Sequence, residues 1–418
     1  MNINILEENK LIIPLIDSAI EAAKPEKYMK NILVKNNILY FNDIEISFKN
    51  NYLIAIGKAA ISMVKSLRPF NFKKKIIISN EKDPLDEVII SSHPLSNENG
   101  YLGALEIMKL ISETDENDLI VLLLSGGASS MLADYRIPIE IANSLFSDLM
   151  KAGANIFELN MVRKHLSFLK GGRFAKSTKS KILTLIISDV LGDDLSTIGS
   201  GPTYFDNSTF KDAIEVMKKF HLENKYSKIL KMFTDPENFS ITETVKDKEF
   251  PKDRVWNKII CNNEKALKAA ETEGIRFGFN VINLGTIVSG EAKLVSGELY
   301  SKFSSLDKKS ILISGGETVV TVNGGGKGGR NQELVLSLVN EIKENEVIAS
   351  FGTDGIDGVT DAAGAVADYS TRKRSSIEEI NEYLRNNDSY NFFKKMGTLI
   401  MTGPTGTNVM DVQILIKR

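Results

Sequence analysis

Three carboxylates fall within six positions in "SDVLGDDLS", at Asp189, Asp193 and Asp194, just after the apolar run "ILTLII". Negative charge packed this densely is costly unless water, a cation or a lysine balances it. The loop therefore reads either as a cation site or as a solvated turn in which Asp194 or Ser196 caps the next helix. "GSGPT" follows and adds Gly201, Thr203 and a stiffening proline. A second acidic loop, "GTDGIDGVTD", holds Asp354, Asp357 and Asp361 among glycines. Its spacing is faintly that of a calcium loop but lacks the bidentate glutamate and flanking helices, so Asp354 at a strand end is the better Mg²⁺ or hydroxyl partner.

Three further stretches are built for anions. In "LLLSGGASS", Gly126 and Gly127 follow Ser125 and let the chain turn, and Ser129 opens a helix whose free amides attract negative charge. The plainer reading is a turn in which the glycines relieve crowding. "GANIFELNMVRKHLSFLKGGRFAK" places Asn160, Arg163, Lys164 and Ser167 on one helical face. That face is either solvated or a carboxylate- or phosphate-capturing surface, for which the arginine fork is suited. "SGGETVVTVNGGGKGGRNQE" carries seven glycines, among them Gly315, Gly316 and Gly326, with Glu317, Lys327, Arg330 and Asn331. Glycine is costly to order, so such a cluster signals a sharp turn or a ligand held against the backbone. Arg330 opens the next helix, where guanidinium and amides would hold an anion together, serving the ligand rather than the core. His165 reads as structural, and His93 and His221 assemble with no nucleophile, which argues against a Ser-His-Asp hydrolase.

Short apolar runs must carry these groups: "YLIAIG", "KIIISN", "LIVLLL", "ILTLII", "KIICNN", "VINLG", "SILISGG" and "EVIASFG". Amphipathic helical stretches alternate with them, which predicts doubly wound α/β architecture with parallel sheets covered on both faces. Ligands in open α/β sheets bind beyond the carboxyl ends of strands, and Lys58 stands at such an end, after "YLIAIG". Amides, hydroxyls, a lysine and many carboxylates, with histidine and cysteine scarce, suit phosphate and Mg²⁺ better than acyl transfer or zinc chemistry.

A chain of 418 residues exceeds one ordinary core, so two domains are expected. We place them at 1–240 and 241–418, with the active site in the cleft between them. The polar segment from Phe205 to Arg254 reads as a helix and then a passage between domains, or as a long excursion within one. A net charge of −2 gives no case for nucleic acid or an anionic membrane. The single cysteine, Cys261, rules out an intramolecular disulfide and suits a reducing cytoplasm. The N-terminus lacks the order of charges of a signal peptide, and "LIVLLL" is far short of the roughly 20 residues of a membrane helix.

Taken in order, "IGKAA", "LLLSGGASSML", "GANIFELNMVRKHLSFLKGGRFAK", "SDVLGDDLSTIGSGPT", "ISGGETVVTVNGGGKGGRNQE" and "GTDGIDGVTDAAGAVAD" resemble the glycerate 2-kinases. These pair an N-terminal Rossmann-like kinase domain with a C-terminal MOFRL domain whose sheet is parallel or mixed. The likeness runs from about Ala55 to the C-terminal "GPTGTNVMDV"; "NQELVLSL" departs from the Ala-rich helix that often follows "GGRNQE". It implies Mg²⁺-dependent transfer of phosphate from ATP to the C2 hydroxyl of D-glycerate. On this resemblance Lys58, Asp189 and Arg330 are catalytic: two cations for the transferred phosphate and a carboxylate for the hydroxyl. Substrate and phosphate would be held by Ser125, Gly126, Gly127, Ser129, Arg163, Lys164, Gly201, Thr203, Gly315, Gly316, Gly326, Lys327 and Asn331. Asp193, Glu317 and Asp354 would engage the metal. The partners implied are glycerate and ATP, without nucleic acid or membrane, and a homodimer is left open. The alternatives are a kinase for another small hydroxy acid and a non-catalytic phosphate-ligand sensor.

Overall fold

The computed structural model describes residues 3–418. The chain divides into two compact units: Tyr28–Ile260, and the described residues up to Lys27 joined with Cys261–Arg418.

The unit Tyr28–Ile260 begins with an antiparallel meander, β1 (Leu33–Lys35), β2 (Ile38–Phe41) and β3 (Ile44–Ser47). Asn36 and Asn37 join β1 to β2 with φ of 52° and 58°, the left-handed pair that a two-residue hairpin loop needs and that asparagine tolerates. Its main sheet contains β4 (Asn51–Ile56), β5 (Lys74–Ser79), β6 (Ile89–Ile90), β7 (Leu119–Leu124), β8 (Lys181–Ile187) and β9 (Val255–Cys261), in the order β6-β5-β4-β7-β8-β9. The pairs among β4 to β8 are parallel. Every residue of β7 is buried, because helices cover both faces of a parallel sheet. Strand order reverses at β4, which lies between β5 and β7, so the turns after β4 and β7 open side by side. Such a switch point is where open α/β sheets receive ligands.

The segment from Phe205 to Arg254 is an excursion within this unit. Thr209 and Asp212 form a capping box that starts the helix Phe210–Lys219, and Ser227–Thr234 follows as a second helix. Their apolar faces bury Phe210, Met217 and Phe233 with Phe146, Leu149 and Val162 in a separate core. The charge legible in the sequence lies on their outer faces.

The other unit holds β10 (Asn280–Glu291), β11 (Ser310–Val319), β12 (Glu346–Gly352), β13 (Gly364–Asp368), β14 (Leu399–Ile400) and β15 (Asp411–Lys417), ordered β10-β11-β15-β12-β13-β14. β10 and β11 run parallel and the remaining pairs antiparallel, so the sheet is mixed. The N-terminal helix Ile12–Ala23 packs on the helix Asn263–Arg276 of this unit. Asp368 Oδ2 accepts from Leu6 N at 2.8 Å and Asn9 Nδ2 at 2.9 Å, tying the first described residues to β13. The division therefore falls after Ile260 rather than at 240/241, because β9 completes the first sheet beside β8. Among the described residues no helix is long and apolar enough to cross a membrane.

Candidate active site

At the switch point of the first unit, the turns after β4 and β7 are stitched together. Lys58 N donates to Gly126 O at 2.9 Å, and Ala59 N to Ser125 Oγ at 3.0 Å. Gly127, at φ 84°, backs onto the ring of His93. Burial pushes the His93 imidazole down to about 4, and the nearby charges of Lys58 and Arg163 add to the effect. A network continues from this turn: Ser129 Oγ meets Ser200 Oγ at 2.8 Å, and Ser200 Oγ donates to Asn160 Oδ1 at 2.9 Å. Arg163 Nη1 donates to the same oxygen at 3.2 Å. The guanidinium of Arg163 also lies 4.7 Å over the Phe146 ring, and its buried Nε has no acceptor. Arg163 makes no ion pair among the described residues, and Asp134, whose charge reaches it, is already paired with Lys170. Cations, hydroxyls and amides thus gather here in an arrangement complementary to a small anion.

Several predicted ligands in this unit are engaged within the fold. Lys164 turns to a buried ion pair with Asp206 at 3.1 Å, so of the two basic residues expected to take a carboxylate only Arg163 joins the cluster. Thr203 is buried, accepting from Thr184 Oγ1 at 3.0 Å and donating to Asn257 Oδ1 at 2.7 Å. Gly201 O accepts from Gly172 N at 2.7 Å. Asp194 accepts from Ser196 N, Ser196 Oγ and Thr197 Oγ1 at 2.8–2.9 Å, the turn-capping role. Asp189 lies beyond the end of β8, and Asp193 lies in the short turn Leu191–Asp193 that follows.

The second unit collects an arginine among acids. Arg330 donates Nε and Nη2 to the two oxygens of Asp411, at 2.6 and 2.9 Å, and Nη1 to Glu317. Those carboxylates hold the guanidinium pKa well above its ordinary value despite burial. Next to it, the helix Arg330–Leu338 presents the amides of Asn331 and Gln332 to Asp357, at 3.0 and 2.9 Å. Burial pushes the Asp357 carboxyl up to about 6, against these donors. The helix end expected to take a ligand anion thus already holds the chain's own. Asp354 and Asp411 both flank Gly352.

The glycine-rich loop also differs from its expected role. The amides of Asn323 and Gly324 donate to Asn387 Oδ1, those of Gly325 and Gly326 to Asn386, and that of Lys327 to Asp388 Oδ1. They dock the loop onto the turn 386–388. A Cβ on Gly326 would stand 2.4 Å from Asp388 Cβ, and one on Gly329 would stand 2.2 Å from Asp357 Cγ. In β11, Gly315 and Gly316 admit Asn263 and the Val288 carbonyl at similarly short range. Asn331 is buried, taking Ser350 Oγ on Oδ1 and giving Nδ2 to Asp357. Lys327 Nζ lies 4.1 Å over the Tyr390 ring. Sequence reasoning missed Asp411 and left His93 out of the site. Asp411 had one signal, an acid opening a buried C-terminal strand.

Residues 12–234 match a domain of unknown function (DUF4147), and residues 310–411 match the MOFRL family. The D-glycerate 2-kinase of Thermotoga maritima is 38% identical over 97% of each chain. A glycerate 2-kinase of Pyrococcus horikoshii is 35% identical over 96% of each. The crystal structure of a glycerate kinase from Thermotoga maritima superposes with a TM-score of 0.84 at 36% identity, covering 98% of this chain and 99% of that one. With both domains matched in order and identity sustained over nearly its whole length, the chain belongs to the glycerate 2-kinase family.

Proposed function

We propose that this protein transfers the γ-phosphoryl group of ATP to the C2 hydroxyl of D-glycerate, giving 2-phosphoglycerate and ADP in the cytoplasm. The observation that carries the reading is the cationic switch point. Lys58 and Arg163 crowd His93, and Arg163 keeps a buried N–H unused, in a chain whose relatives at 34–38% identity are named glycerate 2-kinases. Arg163 and the turn Ser125–Ser129 would hold the glycerate carboxylate. Lys58 would meet charge on the transferred phosphoryl group, where catalysis is chiefly positioning and electrostatics. Asp189 would orient the attacking hydroxyl and accept its proton.

The groups of the other unit would act on the nucleotide. Among the described residues no three metal-ligating side chains converge on a protein-only cage. Mg²⁺ with a nucleotide needs one or two carboxylates and draws its other ligands from phosphate and water, so Asp354, aided by Glu317, fits. When bound, the ion would neutralise charge on the phosphates. Arg330, held by Asp411, would offset charge on the nucleotide phosphates. The test is phosphorus NMR of the protein with ATP, Mg²⁺ and D-glycerate. A 2-phosphoglycerate resonance is expected; 3-phosphoglycerate alone, or no turnover, overturns the proposal.

A further inference from the structure

Away from the switch point, the unit Tyr28–Ile260 contains a cavity of about 700 Å³ that involves none of the residues discussed above as catalytic or substrate-binding. Met108, Phe168, Leu169 and Val245 form its apolar wall, and Arg136 and Arg173 line it together. Neither arginine makes an ion pair among the described residues. Arg136 lies 4.3 Å over the Phe168 ring and donates only Nε, to Ser167 O at 3.3 Å. Its two terminal nitrogens have no acceptor among the described residues. Arg173 is 6% exposed, gives its terminal nitrogens to the carbonyls of Lys164, Lys170 and Thr242, and leaves Nε buried and unpartnered. The acids at the rim are engaged elsewhere. Glu243 accepts from His165 Nε2 at 3.0 Å and Phe210 N at 2.8 Å, and Glu249 pairs with Lys176.

Two like charges beside an apolar wall are unfavourable, and the carboxylates whose charge reaches them, Asp134 for both and Asp206 and Glu243 for Arg173, do not offset the cost. Burial, with Arg136 next, pushes the Arg173 guanidinium down to about 10. An anion would relieve both charges. A bare phosphate would fill little of the space, and a neutral apolar molecule would leave the charges unmet.

We infer that this cavity is a second ligand site, taking a small organic anion: one phosphate or carboxylate head on the Arg136–Arg173 pair and an aryl or alkyl body against Met108, Phe168 and Val245. Arg136 supplies the edge of its guanidinium while the face stays stacked on Phe168, the fork geometry suited to either head group. The ligand would bridge the helix Glu98–Glu113, the Ser167–Leu169 turn and the strap Thr242–Val245.

Isothermal calorimetry on the full chain with phenyl phosphate, phenylacetate and neutral phenol tests this. Saturable one-site binding of at least one anion, and none of phenol, is expected. The preferred anion tells a phosphate ligand from a carboxylate one. Arg136→Gln, at a half-buried position, should fold normally and weaken binding about tenfold or more, the scale of one lost charge-assisted bond. Arg136→Lys should recover part of it. Lys58→Ala should bind as tightly as wild type, which separates this cavity from the switch point. No saturation at millimolar anion, unchanged affinity in Arg136→Gln, or loss of binding in Lys58→Ala each overturns the inference.

Discussion

Two glycine-rich strand ends of this protein look alike in sequence and have opposite fates. After β7, the Ser125–Ser129 turn stands among Lys58, Arg163 and His93, with positive charge in excess. After β11, the loop Asn323–Gly329 gives its amides to Asn386, Asn387 and Asp388, and the arginine that follows is held by Asp411 and Glu317. The first is an electrostatic vacancy, and the second is a satisfied structure that carries a charged tip. Glycine content alone does not distinguish them. The destination of each backbone donor and the counter-charge of each cation do.

The sharpest way to break this comparison is to remove one cation from each end. Lys58→Ala should lower turnover on the order of 10²-fold or more, the loss expected when a charge acting on the transition state is deleted, while the melting temperature stays near wild type. Arg330→Ala should lose activity too, and should also lose about 3 kcal/mol of stability, because Asp411 (1% exposed side chain) is left buried without its partner. Arg330→Lys should keep part of the stability and less of the activity, since an ammonium cannot span both Asp411 oxygens. Steady-state kinetics with urea melts read both. Equal stability losses in Lys58→Ala and Arg330→Ala would erase the distinction.

Residues next to strands were legible in the sequence, and residues held by long-range contacts were not. The continuous apolar run of β7 and its Ser-Gly-Gly turn announce a buried parallel strand, and the strand is buried and parallel, with its turn at the switch point of the sheet. Arg330 opens a helix after a glycine run, a local pattern that the sequence displays. Its counter-ion Asp411 is 81 residues away, so no local pattern could pair them. Lys164 and Arg163 are adjacent and chemically alike, yet Asp206, 42 residues on, claims only the lysine. The domain boundary failed for the same reason: the sheet position of β9 depends on which strand it pairs with. The polar composition of Phe205–Arg254 discloses the first helix, Phe210–Lys219, but conceals the second, Ser227–Thr234, which buries only Ile229, Met232 and Phe233.

A finer cut compares two glycines of one loop. Gly325 has nothing within 4 Å of the position a Cβ would take, whereas a Cβ on Gly329 would overlap Asp357 and displace it from the amides of Asn331 and Gln332. Gly325→Ala should therefore change stability by no more than about 0.5 kcal/mol. Gly329→Ala should cost roughly 2 kcal/mol or more through overpacking and a disturbed buried carboxylate. Thermal melts suffice. If both variants behave like wild type, the loop is loosely docked and its amides are available to a ligand after all.

The smallest expected effect reads the electrostatic vacancy directly. The chain has three histidines, so ring resonances can be assigned by substitution and followed with pH. His93 should titrate near 4, because burial and then the charges of Lys58 and Arg163 disfavour its protonated form. Its folded value lies below its unfolded one near 6.5, so the folded state binds fewer protons between them. The neutral ring therefore costs nothing above about pH 6.5, and stability falls as the pH drops toward 4, by at most about 3 kcal/mol. His93→Asn should remove that slope from the melting profile. Lys58→Met leaves burial intact and removes one repelling charge, so it should raise the His93 value by a fraction of a unit. An anion bound at the turn should raise it as well, by offsetting both cations at once. A His93 that titrates near its ordinary value, unmoved by Lys58→Met or by saturating glycerate, would mean that the cations do not converge on this ring and that the turn after β7 is no more charged than the loop after β11.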